Sequence, residues 1–169
     1  MSNQQKIVVD GYNVIYADDR LRRIALKDME RARRDLLSRI EAYIADKELR
    51  VTVVFDGSGG TTDTRAIVPG KLQVVFSARR QTADELIVSI ITASEKPSSY
   101  IVVTSDRAHI RPAVASSGCH SIGAKSFLDR LSGKKPARSR PAKEEKPRPG
   151  SEDMNFWLDR FGADTDGDP

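Results

Sequence analysis

The sequence predicts an α/β fold of three layers, with a central, mainly parallel sheet covered by helices on both faces. Two observations carry this. Short β-branched runs such as Lys6-Ile7-Val8-Val9 and Val51-Thr52-Val53-Val54-Phe55 are apolar without alternating, as strands buried on both faces are. Segments of helical periodicity separate them, and strands that alternate with helices build parallel sheets. A third observation bears on function. The aspartates Asp10, Asp56, Asp84 and Asp106 fall where the chain enters or leaves these core segments.

The first strand ends at Asp10 and gives way to Gly11-Tyr12-Asn13-Val14-Ile15 and then a polar stretch. Asp28 is placed to cap a long amphipathic helix reaching about Lys47. Met29, Leu36, Leu37, Ile40, Tyr43 and Ile44 recur on it at three-to-four spacing as a buried stripe. Arg31, Arg33, Arg34 and Arg39 fall opposite, on a solvated face that also suits a phosphate backbone. The second strand closes at Asp56. Gly57-Ser58-Gly59-Gly60-Thr61-Thr62 follows, a mobile loop expected on the substrate side. It has neither the lysine nor the spacing of a nucleotide-cradling loop. A third strand near Leu72–Ser77 leads to Thr82, which with Glu85 three residues later makes a capping box. Leu86, Ile87, Ile90 and Ile91 then give that helix its core face. A fourth strand over 100–104 ends at Ser105-Asp106. A helical turn near 107–116, a short strand near His120–Ile122 and a last helix from about Ala124, carrying Phe127, Leu128 and Leu131, complete the domain.

The chain has 169 residues, enough for one α/β domain with a core and a tail. Its 38% hydrophobic content is slightly lean, and the tail accounts for that. No apolar run approaches the roughly 18 residues that span a membrane, and the polar start Met1-Ser2-Asn3-Gln4-Gln5 predicts no signal peptide. A single cysteine, Cys119, excludes an internal disulfide framework and fits a reducing cytoplasm. Beside an expected strand, Cys119 and His120 read as buried rather than as metal ligands. Net charge is +4 over residues 1–132, +5 over 133–150 and −5 over 151–169. A basic domain with a more basic extension suits a polyanion such as RNA, and equally suits plain solubility. Residues 133–150, rich in Pro, Lys and Arg, predict a disordered linker. Residues 151–169 are an acidic, aromatic tail in which Met154, Phe156, Trp157, Leu158 and Phe161 predict a docking motif for a protein partner, the alternative being that they pack back on the basic domain.

Ligands of open parallel sheets bind outside the carboxyl ends of the strands. Asp10, Asp56 and Asp106 are therefore expected to point into one crevice, with Asp84 joining from a helix N-terminus. Crowded carboxylates repel one another unless protons or a cation neutralise them, and a hard divalent cation such as Mg2+ or Mn2+ is the economical solution. Such an ion lowers the pKa of bound water and stabilises charge growing on an attacked phosphate. Asp10 and Asp106, at the ends of central strands, are the expected direct ligands, and Asp84 a ligand directly or through water. Asp56 is placed to orient water or a second metal. Asn13 would hold the site or the scissile phosphate by hydrogen bonds. Ser105 and Thr104 would contact phosphate or cap the following turn. Any one aspartate at a strand end or helix start is ordinary. Together they are not, and the Asp-Gly pairs at Asp10 and Asp56 are read as leaving room for a ligand.

Ile7-Val8-Val9-Asp10-Gly11-Tyr12-Asn13-Val14-Ile15, Val53-Val54-Phe55-Asp56-Gly57, Gln81-Thr82-Ala83-Asp84 and Val102-Val103-Thr104-Ser105-Asp106 together resemble the motifs of the YacP-like NYN domain, within the PIN-like ribonuclease superfamily. The resemblance covers roughly residues 5–132. It implies a PIN-like α/β/α sandwich and metal-dependent cleavage of RNA phosphodiesters, with Asp10, Asn13, Asp56, Asp84 and Asp106 as site residues. It also implies messenger RNA as a substrate and the ribosome as a partner. Relatives often carry an acid four residues after the aspartate that Asp84 matches, and this chain has Val88 there. Glu85 points to another helix face, which puts a second metal in question.

Three rival readings fit less well. A haloacid-dehalogenase phosphatase needs a second Asp two residues after Asp10, where Tyr12 stands. A receiver domain would use Asp10, Asp56, Thr104 and Lys125, but Gly11 breaks its acidic pair and Asp84 and Asp106 are left without a role. A non-catalytic RNA- or ribosome-binding module on the same fold agrees with Val88 and the basic linker.

Overall fold

Three parallel neighbours define the middle of the sheet. β1 (Gln5–Asp10) lies between β2 (Leu49–Phe55) and β5 (Tyr100–Val103). β4 (Leu72–Phe76) adds parallel to β2, and β6 (His120–Ile122) adds parallel to β5. One more strand, β3 (Asp63–Val68), pairs antiparallel with β4 at the edge and gives the order β3-β4-β2-β1-β5-β6. The computed structural model describes residues 4–57, 62–105 and 110–134, all in the first of the two units into which the chain divides, Met1–Lys135. The loop tip at 58–61, Asp106 and the linker and tail from residue 135 onward lie outside the described residues, and so do the readings placed on them.

The layers follow from the two-residue period of strands. On one face Val8, Val54, Val75 and Val102 pack with Leu86, Ile87 and Ile91 of α4 (Ala83–Thr92) and with Ile110 and Val114 of α5 (Ile110–Ser116). Ile7 and Val9, one position out of phase, face the other side. There α1 (Gly11–Ala17), α2 (Asp19–Ala25), α3 (Met29–Ile44) and α6 (Ala124–Leu131) pack among themselves. Val14, Ile15, Leu21, Leu36, Ile40 and Phe127 are fully buried in these helices. The three-layer α/β/α sandwich expected from the sequence is what forms.

Aspartates start the first three helices. Asp10, Asp18 and Asp28 accept the N–H groups of Asn13, Leu21 and Arg31 at 3.2, 2.8 and 2.9 Å, each satisfying an amide that has no partner within its helix. The Thr82–Glu85 capping box of α4 forms as the sequence predicts.

Three local features differ from expectation. The polar stretch after Ile15 is mostly helical, split at Asp18 into α1 and α2. α3 ends at Ile44 rather than near Lys47. The third is β3, in a stretch to which the sequence assigned no element. Its burial is slight along its whole length, so no apolar run marks it. The available signal was Pro69-Gly70, a turn pair just ahead of Leu72, and Gly70 does take the left-handed conformation, with φ +74°.

Candidate active site

β1 delivers Asp10 to the carboxyl edge of the sheet with only 8% of its surface exposed. Its carboxylate accepts the Asn13 N–H, so the first turn of α1 is built on it. The Asn13 side chain then reaches across to β5, where its Oδ1 accepts the Ser105 N–H at 2.8 Å. β1 and β5 run in register, Val9 beside Val103, and this bond ties their ends together. Asp106 is the residue immediately after the tie. Ser105 is held on its other side as well: its Oγ accepts the Ala124 N–H at 3.2 Å. It thus caps α6, whose own N-cap is Gly123 with no side chain to offer. The turn after Ser105, which it was also expected to cap, lies outside the described residues. Thr104 is buried at 4% exposure, and its N–H donates to the Ile122 carbonyl at 3.0 Å.

The second pair of acids is organised around α4. Asp56 follows β2, exposed, and its carboxylate accepts the Ala83 N–H at 2.6 Å. Asp84 is the next residue along, half-buried in the first helical turn, where the N-terminal amides favour negative charge. Glu85 accepts the Thr82 N–H at 2.9 Å, so its carboxylate is engaged in the cap. Val88, one turn on, is half-buried.

Asp10 and Asp56 share one edge because Asp10 lies opposite Val54, two residues before Asp56, on adjacent parallel strands. Asp10, Asn13 and Ser105 form one hydrogen-bonded group there, and Asp56 and the first turn of α4 form another. Among the described residues no three His, Cys, Asp or Glu side chains gather closely enough to hold a metal ion, and Asp106 is not one of those residues. The donors on offer are carboxylate and amide oxygens, the chemistry that hard divalent cations take.

Both Asp-Gly pairs have a packing reason. A Cβ on Gly11 would overlap the Phe55 ring, which is itself fully buried and meets Tyr12 edge-on at 5.0 Å. A Cβ on Gly57 would overlap the carbonyl oxygen of Ser77, whose Oγ accepts the Gly57 N–H at 3.1 Å. The space read from the sequence as room for a ligand is filled by the protein.

Room for a ligand lies alongside instead. A groove of about 710 Å3 opens between α3 and the β3–β4 hairpin, with Tyr12 and Asp56 among its lining residues. It was invisible in the sequence because β3 was. Two arginines of the supposedly solvated α3 face are engaged rather than free. Arg33 donates to the Tyr12 hydroxyl at 3.0 Å, and Arg39 pairs with Asp18 at 3.0 Å. Cys119 is buried as expected, donating to the Tyr100 carbonyl at 3.0 Å. Burial pushes its thiol up to about 12, against hydrogen bonds that favour the thiolate.

The YacP-like NYN domain family model matches residues 7–159, past the end of the motif-bearing region and into the acidic aromatic segment. The protein YacP of Bacillus subtilis strain 168 is 32% identical over 101 residues, which are 59% of each chain, so the similarity spans about 59% of that relative's length. Two crystal structures of Rae1 (YacP) from Bacillus subtilis, one of them of a mutant, share the fold at TM-scores of 0.62 and 0.60 with 26% identity. They cover 76% and 75% of this chain and 74% and 73% of theirs.

Proposed function

Because the chain belongs to the YacP-like NYN domain family, whose nuclease character implies an RNA substrate, we propose that it is a metal-dependent endoribonuclease. It would hydrolyse phosphodiester bonds of single-stranded or messenger RNA. The observation that supports this best is the Asn13 bridge, which joins the first turn after Asp10 to the residue before Asp106.

The side chains offered at this edge, Asp10, Asn13 and Asp56, carry carboxylate and amide oxygens, the donor chemistry that suits Mg2+ or Mn2+. Asp10, Asp84 and Asp106 would hold the ion. When bound, it makes water a better nucleophile and offsets charge on the attacked phosphate. The chain's own groups supply position. Asp10 is fixed by its bond to the Asn13 amide, and Asn13 sets the spacing of the β1 and β5 ends. Asp56 anchors the turn that carries Asp84. Fixing carboxylates before substrate arrives spares the reorganisation that free side chains would undergo.

The reading extends to the ribosome as the place where messenger RNA is met, and to residues 151–169, with Trp157, as the segment that docks a protein partner. No described helix is long and apolar enough to cross a membrane, and the cytoplasm is the setting proposed.

The test is cleavage of labelled RNA with and without Mg2+ or Mn2+, beside Asp10→Asn and Asp106→Asn. We expect internal cuts that need metal and disappear in both variants. Intact RNA, or variants as active as the parent, would sink the nuclease reading. One observation favours a second reading, a module that binds RNA without cutting it. With Val88 on α4 and Glu85 engaged in the cap, that helix offers one acid to the site rather than two. Binding without cleavage under every metal condition would select it.

A further inference from the structure

The groove beside the acid edge has a construction of its own. Its floor is the β3–β4 hairpin, where Arg65 lies opposite Val74 and Asp63 opposite Phe76. Its wall is α3, presenting Arg33 and Arg34. Tyr12 and Asp56 also line it, so it borders the acid edge at Asp56. The Arg33 and Arg65 guanidiniums flank one aromatic ring, lying 5.6 and 5.5 Å from the centroid of Phe76. Ile67 adds an apolar footing that is 41% exposed.

We propose that this groove is a subsite for single-stranded RNA, seating the nucleotides next to the bond that is cut. The proposal rests on the ribonuclease reading and deepens it. A groove in which arginines alternate with aromatic and aliphatic surface matches what single strands need: cations along the backbone and flat or apolar surface for unstacked bases. The groove does hold acids. Arg65 pairs with Asp63 at 2.9 Å and Arg34 with Glu30 at 3.4 Å, and Asp56 is occupied by the Ala83 amide. Both ion pairs are largely exposed, so each contributes little and a phosphate competes for the arginine at small cost. Arg33 is held by the Tyr12 hydroxyl and by the rings of Phe55 and Phe76, which pre-organises its charge. The volume, about 710 Å3, suits a small ligand or a short stretch of strand. An extended peptide adding to the exposed edge of β3 is the competing occupant. Its border on Asp56 and the two arginines held over the Phe76 ring favour RNA.

The experiment measures anisotropy of end-labelled oligouridylates of about 4 to 16 nucleotides on the full chain in EDTA, across a range of salt. Arg34→Gln and Arg65→Gln are compared with Lys125→Gln, which removes the same charge from an exposed position on α6 outside the groove. Each groove variant should bind more weakly and lower the slope of log affinity against log salt by about 0.7. Lys125→Gln should do neither. Ile67→Ala should weaken binding with the slope unchanged. Unfolding midpoints like the parent's confirm that these surface changes leave the fold intact. Equal effects from all three charge variants, or none from Arg34 and Arg65, overturn the subsite, and peptide capture by β3 would then explain the groove. The same oligonucleotides are incubated with metal in parallel. Cleavage unaffected by the groove variants removes the subsite and leaves the nuclease. Groove-dependent binding with no cleavage removes the nuclease and leaves the groove as a binding site for single-stranded RNA.

Discussion

Asp56 holds the helix on which Asp84 rides: the carboxylate that ends β2 accepts the Ala83 N–H at 2.6 Å. The two acids are therefore coupled through one backbone amide. Moving Asp56 moves the first turn of α4, and with it Asp84. Beside the role toward water or a second metal expected of it, Asp56 thus holds the start of α4.

Asp56→Ala and Asp56→Asn separate the two roles. Asparagine keeps an acceptor for the Ala83 amide, and alanine does not. Asp56→Ala should lose about 1 kcal/mol of unfolding free energy, while Asp56→Asn should stay within about 0.5 kcal/mol of the parent. If Asp56 acts by positioning Asp84, Asp56→Asn also keeps most of the RNA cleavage and Asp56→Ala loses it. Urea unfolding and a cleavage assay on the same samples decide. An alanine variant as stable as the parent would remove the coupling.

Gly11 is fixed by the ring above it. Since a Cβ there overlaps Phe55, Gly11→Ala should cost roughly 1–3 kcal/mol through overpacking. Phe55→Leu in the same chain should recover part of that, because it clears the space the methyl needs. The double-mutant cycle should therefore show a favourable coupling. Strictly additive losses would show that Gly11 is required for some other reason.

The strands buried on both faces were legible in the sequence because burial itself writes the apolar run: β1, β2, β4 and β5 all show one. β3 was not, since its order comes from the open edge of β4 and its own side chains are mostly in water. α1 and α2, at seven residues each, are too short for periodicity to declare them, although Asp18 was a usable cap signal. At the site, the acids could be placed because strand ends and caps are local features. The bond from Asn13 to Ser105 spans 92 residues of sequence, and no local pattern encodes it. The groove depends on β3 and was lost with it.

Asp18 gives the fold an acid limit. Burial disfavours its charge, but the Leu21 amide and the Arg39 guanidinium outweigh this and hold its carboxyl below the ordinary value of 3.8. A carboxyl that is more acidic when folded contributes stability above the unfolded pKa. That contribution is lost as pH falls through the folded value. Asp18→Asn should therefore be less stable than the parent at neutral pH, and the gap should close below about pH 4. Urea midpoints across this range test it, and a gap that persists undiminished at low pH would contradict the pairing.

Asn13 can be tested without any RNA. Asn13→Ala strands the Ser105 N–H and should cost about 1 kcal/mol at every pH. Asn13→Asp keeps an acceptor for that amide but adds a carboxylate to the residue whose backbone N–H the buried Asp10 accepts. Like charge raises the folded pKa of the pair, so its stability is intact where both acids are protonated and falls as pH rises through the raised value. Asn13→Asp should thus match the parent near pH 3–4 and fall behind it by pH 7. Adding Mg2+ or Mn2+ at pH 7 should restore part of the deficit if a cation binds here, because neutralising the pair relieves the repulsion. A deficit equal at pH 4 and pH 7 would mean that Asp10 and residue 13 do not sense each other's charge, and the acid edge would lose the geometry on which a metal site depends.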